Sequence, residues 1–233
     1  MLSPKMEDYL KTIHELQRGT EGPVSTSSIA ETLDVAPPTA TSMMETLAER
    51  GLVAREKYKG VLLTREGETV AIEVVRHHRL IETYLAERLG YDWAEVHDEA
   101  DRLEHHISEE FERRVAEQLG EPEVDPHGDP IPNDALEPVD EDCGETLGEH
   151  EEGDEVVVWR VRDRDPEELS YLSEAGVTPG TQLVVEEVAP IDMVTVRLPD
   201  GETVSLPDAV ADAIRVTEAD RTGANRKSGA DAQ

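Results

Sequence analysis

At the start of the chain, the apolar positions repeat with the period of an α-helix, which gathers large apolar side chains on one face. This pattern predicts an amphipathic helix over residues 5–18. A second predicted helix follows Ser28, which has the spacing of a capping box with Glu31, and ends at Leu33. A third begins at two consecutive prolines, which the first turn of a helix tolerates, and ends at Arg50.

Two short strands are expected next, over residues 52–56 and 61–64, joined by the basic turn 57–60. Helices followed at once by a hairpin are typical of a winged helix-turn-helix. The pattern therefore predicts a winged helix-turn-helix DNA-binding domain over residues 1–64.

Long helical periods dominate the middle of the chain. Helices are predicted over residues 65–89 and 93–119, with Gly90 between them. They would form a helical domain over residues 65–120. Residues 121–153 are rich in Pro, Gly, Asp and Glu, follow neither period, and indicate an acidic linker.

The C-terminal part changes to β-branched runs separated by turn signals, which is typical of a small β-barrel of SH3-like type. This domain is expected over residues 154–217, followed by a polar, disordered tail over residues 218–233. Its predicted strands are 155–161, 182–188, 193–198 and 203–206. The predicted fold class is thus mainly α with β, in three domains.

The charge of the chain is extreme and unevenly placed. The net charge is −32, yet residues 1–80 hold 10 basic and 12 acidic side chains, against 12 and 42 in the remaining 153 residues. A near-neutral first third suits a face that approaches DNA, although a more buried segment would show the same balance. Because helical and strand patterns persist, the acidity indicates adaptation to molar salt, where repulsion is screened, rather than disorder.

One cysteine, Cys143, can form neither an internal disulfide nor a thiolate zinc cluster. No apolar run approaches the ~18 residues of a membrane-spanning helix. The residues after Met1 lack the apolar stretch of a secretory signal. The sequence therefore predicts a soluble, cytoplasmic protein with no membrane partner.

The second helix of the predicted helix-turn-helix would enter the major groove of DNA. Its first residues carry small hydroxyl groups, which bond to bases or phosphates, but no Arg or Asn for a bidentate base contact. Simple N-capping by the hydroxyls, and a solvated turn for the wing lysines, are alternatives that the sequence leaves open. The predicted DNA-binding residues are Thr26, Ser27, Ser28, Pro38, Thr39, Thr41, Ser42, Lys57 and Lys59.

Histidines concentrate between residues 77 and 106, among carboxylates. On one continuous helix, a single stripe would be formed by His97, Asp101, Glu104 and His105. His78 and Glu82 are likewise one turn apart on the preceding helix. Imidazole and carboxylate groups suit divalent first-row metals. The alternative is a polar stripe on solvated helices of an acidic chain.

Longer stretches of the sequence resemble the diphtheria-toxin-repressor family of iron- and manganese-dependent transcriptional regulators. The most specific is VHDEADRLEHH, at residues 96–106. The others are MEDYLKTIHEL (6–16), the winged helix that ends in ERGLV, RHHRLIE (76–82) and DPHGDPIP (125–132). These stretches occur in the family's order, and residues 154–217 are a weaker match to its SH3-like (FeoA-like) third domain.

The resemblance implies two metal sites in each chain. The primary site would consist of Asp8, Asp101, Glu104 and His105. The ancillary site would consist of His78, Glu82 and His97, with Asp165 and Glu168 contributed by the third domain. The resemblance also implies a homodimer formed through residues 65–119, and hence an inverted-repeat DNA operator.

Two departures from the family affect the choice of metal. Iron-type members carry Met and Cys where this chain has Asp8 and Asp101. Manganese-type members have an Asp matching Asp8, a Glu in place of Asp101, and a second carboxylate where this chain has Lys11. A set of oxygen and imidazole ligands favours Mn²⁺ or Fe²⁺, with Mn²⁺ preferred here, while Lys11 counts against a manganese-type paired site.

The sequence thus predicts a dimeric repressor that binds its operator when loaded with Mn²⁺ or Fe²⁺ and controls metal homeostasis genes. Metal would join Asp8 to the 101–105 segment, relieve repulsion among three carboxylates and fix the DNA-binding domain. Because His105 must be neutral to bind metal, binding is expected to weaken below about pH 6.

Two alternatives to this function remain. A metalloenzyme is disfavoured, since the chain has no HExxH pattern, no Gly-rich phosphate loop and no nucleophile elbow, and the prediction is that the protein is not an enzyme. The other alternative is a metal-independent winged-helix regulator whose acidic half is a protein-interaction module.

Overall fold

The computed structural model describes residues 2–18, 22–56, 59–137, 144–162, 165–190 and 192–219. The chain divides into two compact units. The first comprises Met1–Asp125 and Asp129–Asp140, and the second Pro126–Gly128 and Glu141–Gln233. Among the described residues, none of the helices has the length and hydrophobicity needed to cross a bilayer.

The first unit begins with the predicted winged helix-turn-helix. Helices α1 (Pro4–Arg18), α2 (Thr26–Thr32) and α3 (Pro37–Glu49) are followed by strands β1 (Val53–Glu56) and β2 (Gly60–Leu63), which pair antiparallel. Their apolar faces form one core. Its fully buried members include Leu10, Ile13, Ile29, Met44 and Leu47. The prediction of three helices and a hairpin is confirmed.

The cap of α2 differs from the prediction. Ser25, not Ser28, is the N-cap, and its Oγ accepts the backbone N–H of Ser28 at 3.0 Å. Four consecutive hydroxyl residues all satisfy the capping preference, so composition alone does not select among them. The selection comes from the neighbouring Val24, whose backbone pairs with Val61 of the hairpin and fixes where the helix begins.

Gly60 is required by this pairing. Its φ is +129°, and a Cβ at this position would lie 2.0 Å from the carbonyl oxygen of Val24. No side chain fits that distance, so the hairpin approaches Val24 closely only because residue 60 is glycine.

Helix α4 (Arg65–Tyr84) is the centre of the first unit and packs against α1, α5 and α6. Thr64 caps it by accepting the N–H of Gly67, and a π-helical turn, Leu85–Leu89, extends it to Gly90 in the left-handed conformation. The predicted helix over residues 65–89 is therefore confirmed, with a change of winding in its last turn.

The predicted single helix over residues 93–119 is wrong, because it is two helices. Helix α5 (Val96–Leu103) ends before Glu104, and α6 (Glu109–Leu119) starts after the N-cap Ser108. The break lets the two helices pack on different parts of α4. Val96 and Ala100 of α5 contact Ile81 and Leu85. Val115 and Ala116 of α6 contact Leu80 and Ile131.

The predicted linker is ordered in its first part. Val124 pairs with Pro130 in an isolated β-bridge, and the buried Asp125 accepts the backbone N–H of Asp129 at 2.9 Å. Arg79 of α4 binds this turn through Asp129 and the carbonyl oxygen of Pro130, at 3.1 and 2.5 Å. The buried arginine and aspartates compensate one another's charges. The polar composition of this segment did not indicate that it would be buried and ordered.

The second unit is a six-stranded antiparallel sheet of order β3-β8-β4-β5-β6-β7. Its elements are β3 (Glu145–Thr146), β4 (Glu155–Val161), α7 (Pro166–Glu174), β5 (Gln182–Ala189), β6 (Met193–Arg197), β7 (Thr203–Pro207), α8 (Asp208–Ala211) and β8 (Ile214–Glu218). The four predicted strands are confirmed, whereas β3, α7, α8 and β8 were not predicted. Beyond Ala219, the predicted disordered tail lies outside the described residues.

Candidate metal centre

The candidate ligands converge from three helices of the first unit. Helix α1 contributes Asp8, α4 contributes His78 and Glu82, and α5 with the turn after it contributes the remainder. Because α4 packs against both α1 and α5, ligands distant in sequence meet in one place. Among the described residues, two candidate metal-ligand groups consist entirely of predicted ligands. They are the Asp8 group (Asp8, Glu104, His105) and the His78 group (His78, His97, Asp101).

In the Asp8 group, the imidazole of His105 lies between two carboxylates. Its Nε2 is 2.7 Å from Asp8 Oδ1 and 3.3 Å from Glu104 Oε1. The His105 and Glu104 side chains are only 6% and 1% exposed, whereas that of Asp8 is 44% exposed. The group is therefore open to solvent on the α1 side, where an ion could enter.

The buried Glu82 lies beside the His78 group, and one of its oxygens forms a nearly equilateral triangle with a nitrogen of His78 and a nitrogen of His97. His78 Nε2 lies 2.9 Å from Glu82 Oε1 and 3.1 Å from His97 Nδ1, and these last two atoms are 3.2 Å apart. Ligand atoms about 2.1 Å from an ion in octahedral coordination are about 3 Å from their neighbours. The triangle has the size of one octahedral face, so these residues fit a divalent ion.

Asp101 lies in a different place from the one its predicted role suggests. Its carboxylate is 3.3 Å from His78 and 3.7 Å from His97, which is one helical turn before it, and it belongs to the His78 group. The physical reason is the end of α5. Since Glu104 and His105 follow the helix, the expected single stripe divides and turns those two side chains toward Asp8. The assignment of Asp101 to a primary site with Asp8 stays a prediction.

Asp165 and Glu168 belong to the second unit. Asp165 is the N-cap of α7, and its Oδ1 accepts the backbone N–H groups of Glu167 at 2.9 Å and Glu168 at 3.4 Å. This carboxylate already has local partners, and Glu168 lies in the first turn of the helix. Their role as ancillary ligands remains a prediction.

Glu7 is a site residue that sequence reasoning missed. Its Oε2 lies 2.7 Å from Nδ1 of His105, on the side of the ring opposite Asp8. A carboxylate at Nδ1 keeps the proton on that nitrogen and leaves the Nε2 lone pair free for an ion. In the sequence, only its position next to Asp8 indicated that Glu7 belongs to the site. Its partner, His105, is 98 residues away along the chain.

A second missed feature holds the main chain at Glu104. His77 Nδ1 lies 3.2 Å from the carbonyl oxygen of Glu104, and His77 Nε2 lies 3.3 Å from Glu112 of α6. Arg76 also binds Glu112, at 2.5 Å, and the carbonyl oxygen of Pro132. This buried network joins α4, α6 and the turn after α5, and so fixes the backbone that carries Glu104 and His105.

The electrostatic environment keeps the carboxylates of Asp101 and Glu104 ionised. Burial raises the pKa of Asp101 and of Glu104, but hydrogen bonds from His78 and the charge of Lys11 outweigh it and hold both values below their ordinary range. Burial lowers the pKa of His78, yet Glu82 and the hydrogen bonds to Asp101 and Glu104 raise it well above 6.5. Without metal, protons and Lys11 thus supply the positive charge of the pocket.

The predicted DNA-binding residues of α3 lie on its exposed side, and their contact with DNA stays a prediction. Pro38, Thr39, Thr41 and Ser42 are exposed on one side of α3, while Ala40, Met44 and Leu47 are buried on the other. Thr26, Ser27 and Ser28 form the first turn of α2, and Lys59 is exposed in the wing. Lys57 lies outside the described residues.

Fold and site together define a class of DNA-binding regulator in which the first helix of the winged domain also carries metal-ligand residues. Comparison with family models agrees. Residues 1–61 match the N-terminal DNA binding domain of iron dependent repressors, residues 64–133 match the metal binding and dimerisation domain of iron dependent repressors, and residues 145–218 match the FeoA domain. The chain belongs to the iron-dependent repressor family, which confirms the resemblance inferred from its motifs.

Similar proteins span nearly the whole chain. The iron-dependent repressor IdeR of Mycobacterium tuberculosis H37Rv is 33% identical, over 90% of this chain and 95% of that protein. The diphtheria toxin repressor of Corynebacterium efficiens is 36% identical, over 92% and 95%. A manganese-dependent transcriptional repressor solved in complex with manganese has a TM-score of 0.83 at 39% identity, covering 92% of this chain and 100% of that one.

The metal-free protein should lose stability between pH 6.5 and 8. The hydrogen bond to Asp8 raises the pKa of His105 to about 8, against opposing burial and with help from Glu104 and Glu7. A raised pKa stabilises the fold fully below the ordinary value of 6.5, and this contribution disappears as pH rises through 8. Its size is at most about 2 kcal/mol, less whatever solvent screening removes.

Denaturant unfolding with EDTA at several pH values measures this effect in the wild type and in His105→Gln. In His105→Gln, the free energy of unfolding should not show the loss that titration of His105 causes in the wild type. Over the same interval metal affinity should rise, since the proton on His105 competes with the ion, which moves the expected weakening to a higher pH than an unperturbed histidine would give. Identical pH profiles for the two proteins would contradict this assignment.

Removing the Glu7 carboxylate should weaken metal binding through His105. Loss of such a supporting carboxylate typically costs about 10–100-fold in metal affinity, so Glu7→Ala should show a loss in this range by calorimetric titration. Glu66→Ala, which removes an exposed glutamate of α4, is the matched control. An affinity unchanged in Glu7→Ala would mean that Glu7 does not orient the ring.

Proposed function

We propose that this protein is a metal-dependent transcriptional repressor. It binds an inverted-repeat operator as a homodimer when loaded with Mn²⁺ or Fe²⁺, and it controls metal homeostasis genes. The single observation that carries the proposal is the double use of helix α1. Its residues Leu10 and Ile13 are fully buried in the core of the winged domain, while Asp8 on the same helix meets His105 of the metal-binding domain.

This arrangement couples metal binding to DNA binding. A bound ion would supply charge that attracts Asp8, Glu104 and His105 at once. Asp8 then holds α1, and with it the reading helix α3, in a fixed position relative to the metal-binding domain. Fixing the domain beforehand reduces the disorder lost on binding DNA, and by linkage DNA must tighten metal binding by the same factor.

The ligand chemistry favours Mn²⁺ or Fe²⁺. Both groups offer only carboxylate oxygens and imidazole nitrogens, without a thiolate or thioether, and such a set suits these ions better than thiophilic metals. Relatives are named both iron-dependent and manganese-dependent repressors. Asp8 and Asp101 replace sulfur ligands of iron-type members, so Mn²⁺ is the preferred ion. Asp165 and Glu168 are proposed as further ligands of the His78 group.

DNA recognition would rely on neutral groups. The exposed hydroxyls of Thr39, Thr41 and Ser42 face outward from α3, and the nearby Glu45 is paired with Arg55 of β1 at 3.2 Å. The arginine compensates the negative charge of Glu45, which would otherwise repel DNA phosphates near α3. Hydrogen bonds and shape are suited to molar salt, in which counterion release contributes little to binding.

A homodimer would bring two winged domains to the two half-sites of an operator. Large apolar side chains remain exposed on the metal-binding domain, an arrangement typical of association surfaces. They are Leu89, Tyr91, Leu103 and Phe111. The matching family model is that of a metal binding and dimerisation domain, which supports this assignment.

Operator binding is the direct test of this function. Titration of the full chain in high KCl, with Mn²⁺, Fe²⁺ or EDTA, should show metal-enhanced DNA affinity of roughly 5–150-fold in the wild type. Asp8→Ala should lose this enhancement, because the bridge between the two domains is removed. The matched control is Asp98→Ala, an exposed aspartate on α5.

Equal operator affinity in metal and in EDTA would instead support the metal-independent regulator. A loss of enhancement in Asp98→Ala as large as in Asp8→Ala would show that general acidity, rather than the Asp8 group, is responsible. Either outcome would overturn the proposed sensor.

A further inference from the structure

Lys11 places an ammonium group between the two ligand groups. Its Nζ lies 2.8 Å from Glu104 Oε2, 3.1 Å from Asp101 Oδ1 and 3.0 Å from His78 Nδ1. Glu104 belongs to the Asp8 group, whereas His78 and Asp101 belong to the His78 group. The ammonium thus donates to the carboxylates of Glu104 and Asp101, beside the ring of His78, so it occupies the space between side chains that a metal would use.

Helix geometry places Lys11 there. It follows Asp8 by three residues, which puts both side chains on the same side of α1. The side chain is 13% exposed and the Glu104 side chain 1% exposed, so their attraction is little weakened by water. Glu104 and Asp101 raise the pKa of Lys11 above its ordinary value despite its burial, and the group keeps its charge.

We propose that Lys11 is a tethered cation that competes with the metal for Glu104 and Asp101 and so raises the metal concentration at which the sensor loads. This inference rests on the proposed metal-sensing function. Without metal, the ammonium compensates two carboxylates that would otherwise repel each other. With metal, it repels the incoming ion at short range and holds the same oxygens.

The proposal gives opposite signs for two measurements, which an ordinary structural ion pair does not. Replacing Lys11 by an uncharged side chain should destabilise the metal-free protein, because the buried carboxylate of Glu104 loses its counter-charge. The same change should strengthen metal binding, because the competitor is gone. A purely structural lysine would on removal loosen the pocket and leave metal binding weaker or unchanged.

The test uses Lys11→Met in the full chain, with Mn²⁺ as the probe. Calorimetric titration in high KCl should show Mn²⁺ affinity increased by about tenfold or more. Denaturant unfolding in EDTA should show a lower midpoint than the wild type. Lys11→Gln, which keeps a hydrogen-bond donor without charge, gives the same comparison if Lys11→Met does not fold without metal.

Two controls separate charge from side-chain loss. Lys11→Arg keeps the charge and should keep the wild-type affinity. Lys5→Met removes an exposed lysine from the same helix and should also leave it unchanged. A rise in affinity confined to Lys11→Met and Lys11→Gln supports the proposal.

Mn²⁺ affinity that is equal or lower in both uncharged variants would overturn the proposal while leaving the metal-sensing function intact. An equal rise in Lys11→Arg would also overturn it, since charge would not be the cause. Absence of Mn²⁺ binding in the wild type and in every variant would overturn the metal-sensing function itself, and the role of Lys11 with it.

Discussion

The carboxylate of Glu104 is buried between the two ligand groups, and its oxygens face different sides. Oε2 lies 2.6 Å from His78 Nδ1 and 2.8 Å from Lys11 Nζ, while Oε1 lies 3.3 Å from His105 Nε2. A buried charge must be compensated by its neighbours, so the positions of both groups depend on this side chain. The contact of His77 with its carbonyl oxygen fixes Glu104 from the main chain as well.

Helix α1 connects the surroundings of Glu104 with the core of the DNA-binding domain. One face of the helix is sealed into the apolar core by Leu10 and Ile13, and cannot turn without exposing them. The other face presents Glu7, Asp8 and Lys11 to residues 101–105. A change of charge around Glu104 therefore acts on a rigid element of the winged domain. The proposed coupling would need no moving loop, only a change in how firmly α1 is held.

Local periodicity was sufficient to predict most of the fold. The helices and hairpin of the winged domain and four strands of the second unit followed from side-chain spacing, because each signal lies within a few residues. The break after α5 did not, since Ile107 and Phe111 continue an apolar period across it. Contacts of Glu7 and Lys11 with residues 67–98 positions away arise only from helix packing, which one sequence does not contain.

The position of this pocket matters for a chain with a net charge of −32. In molar salt, screening over about 3 Å removes most of the effect of surface charges on one another. The side chains of Glu104 and His105 are almost fully buried, at contacts of about that same length, so little solvent lies between them to screen their interaction. Electrostatic coupling therefore persists inside the protein where it fails on the surface. An internal cluster of histidine, carboxylate and lysine is consequently the part of such a chain best able to respond to one divalent ion in concentrated monovalent salt.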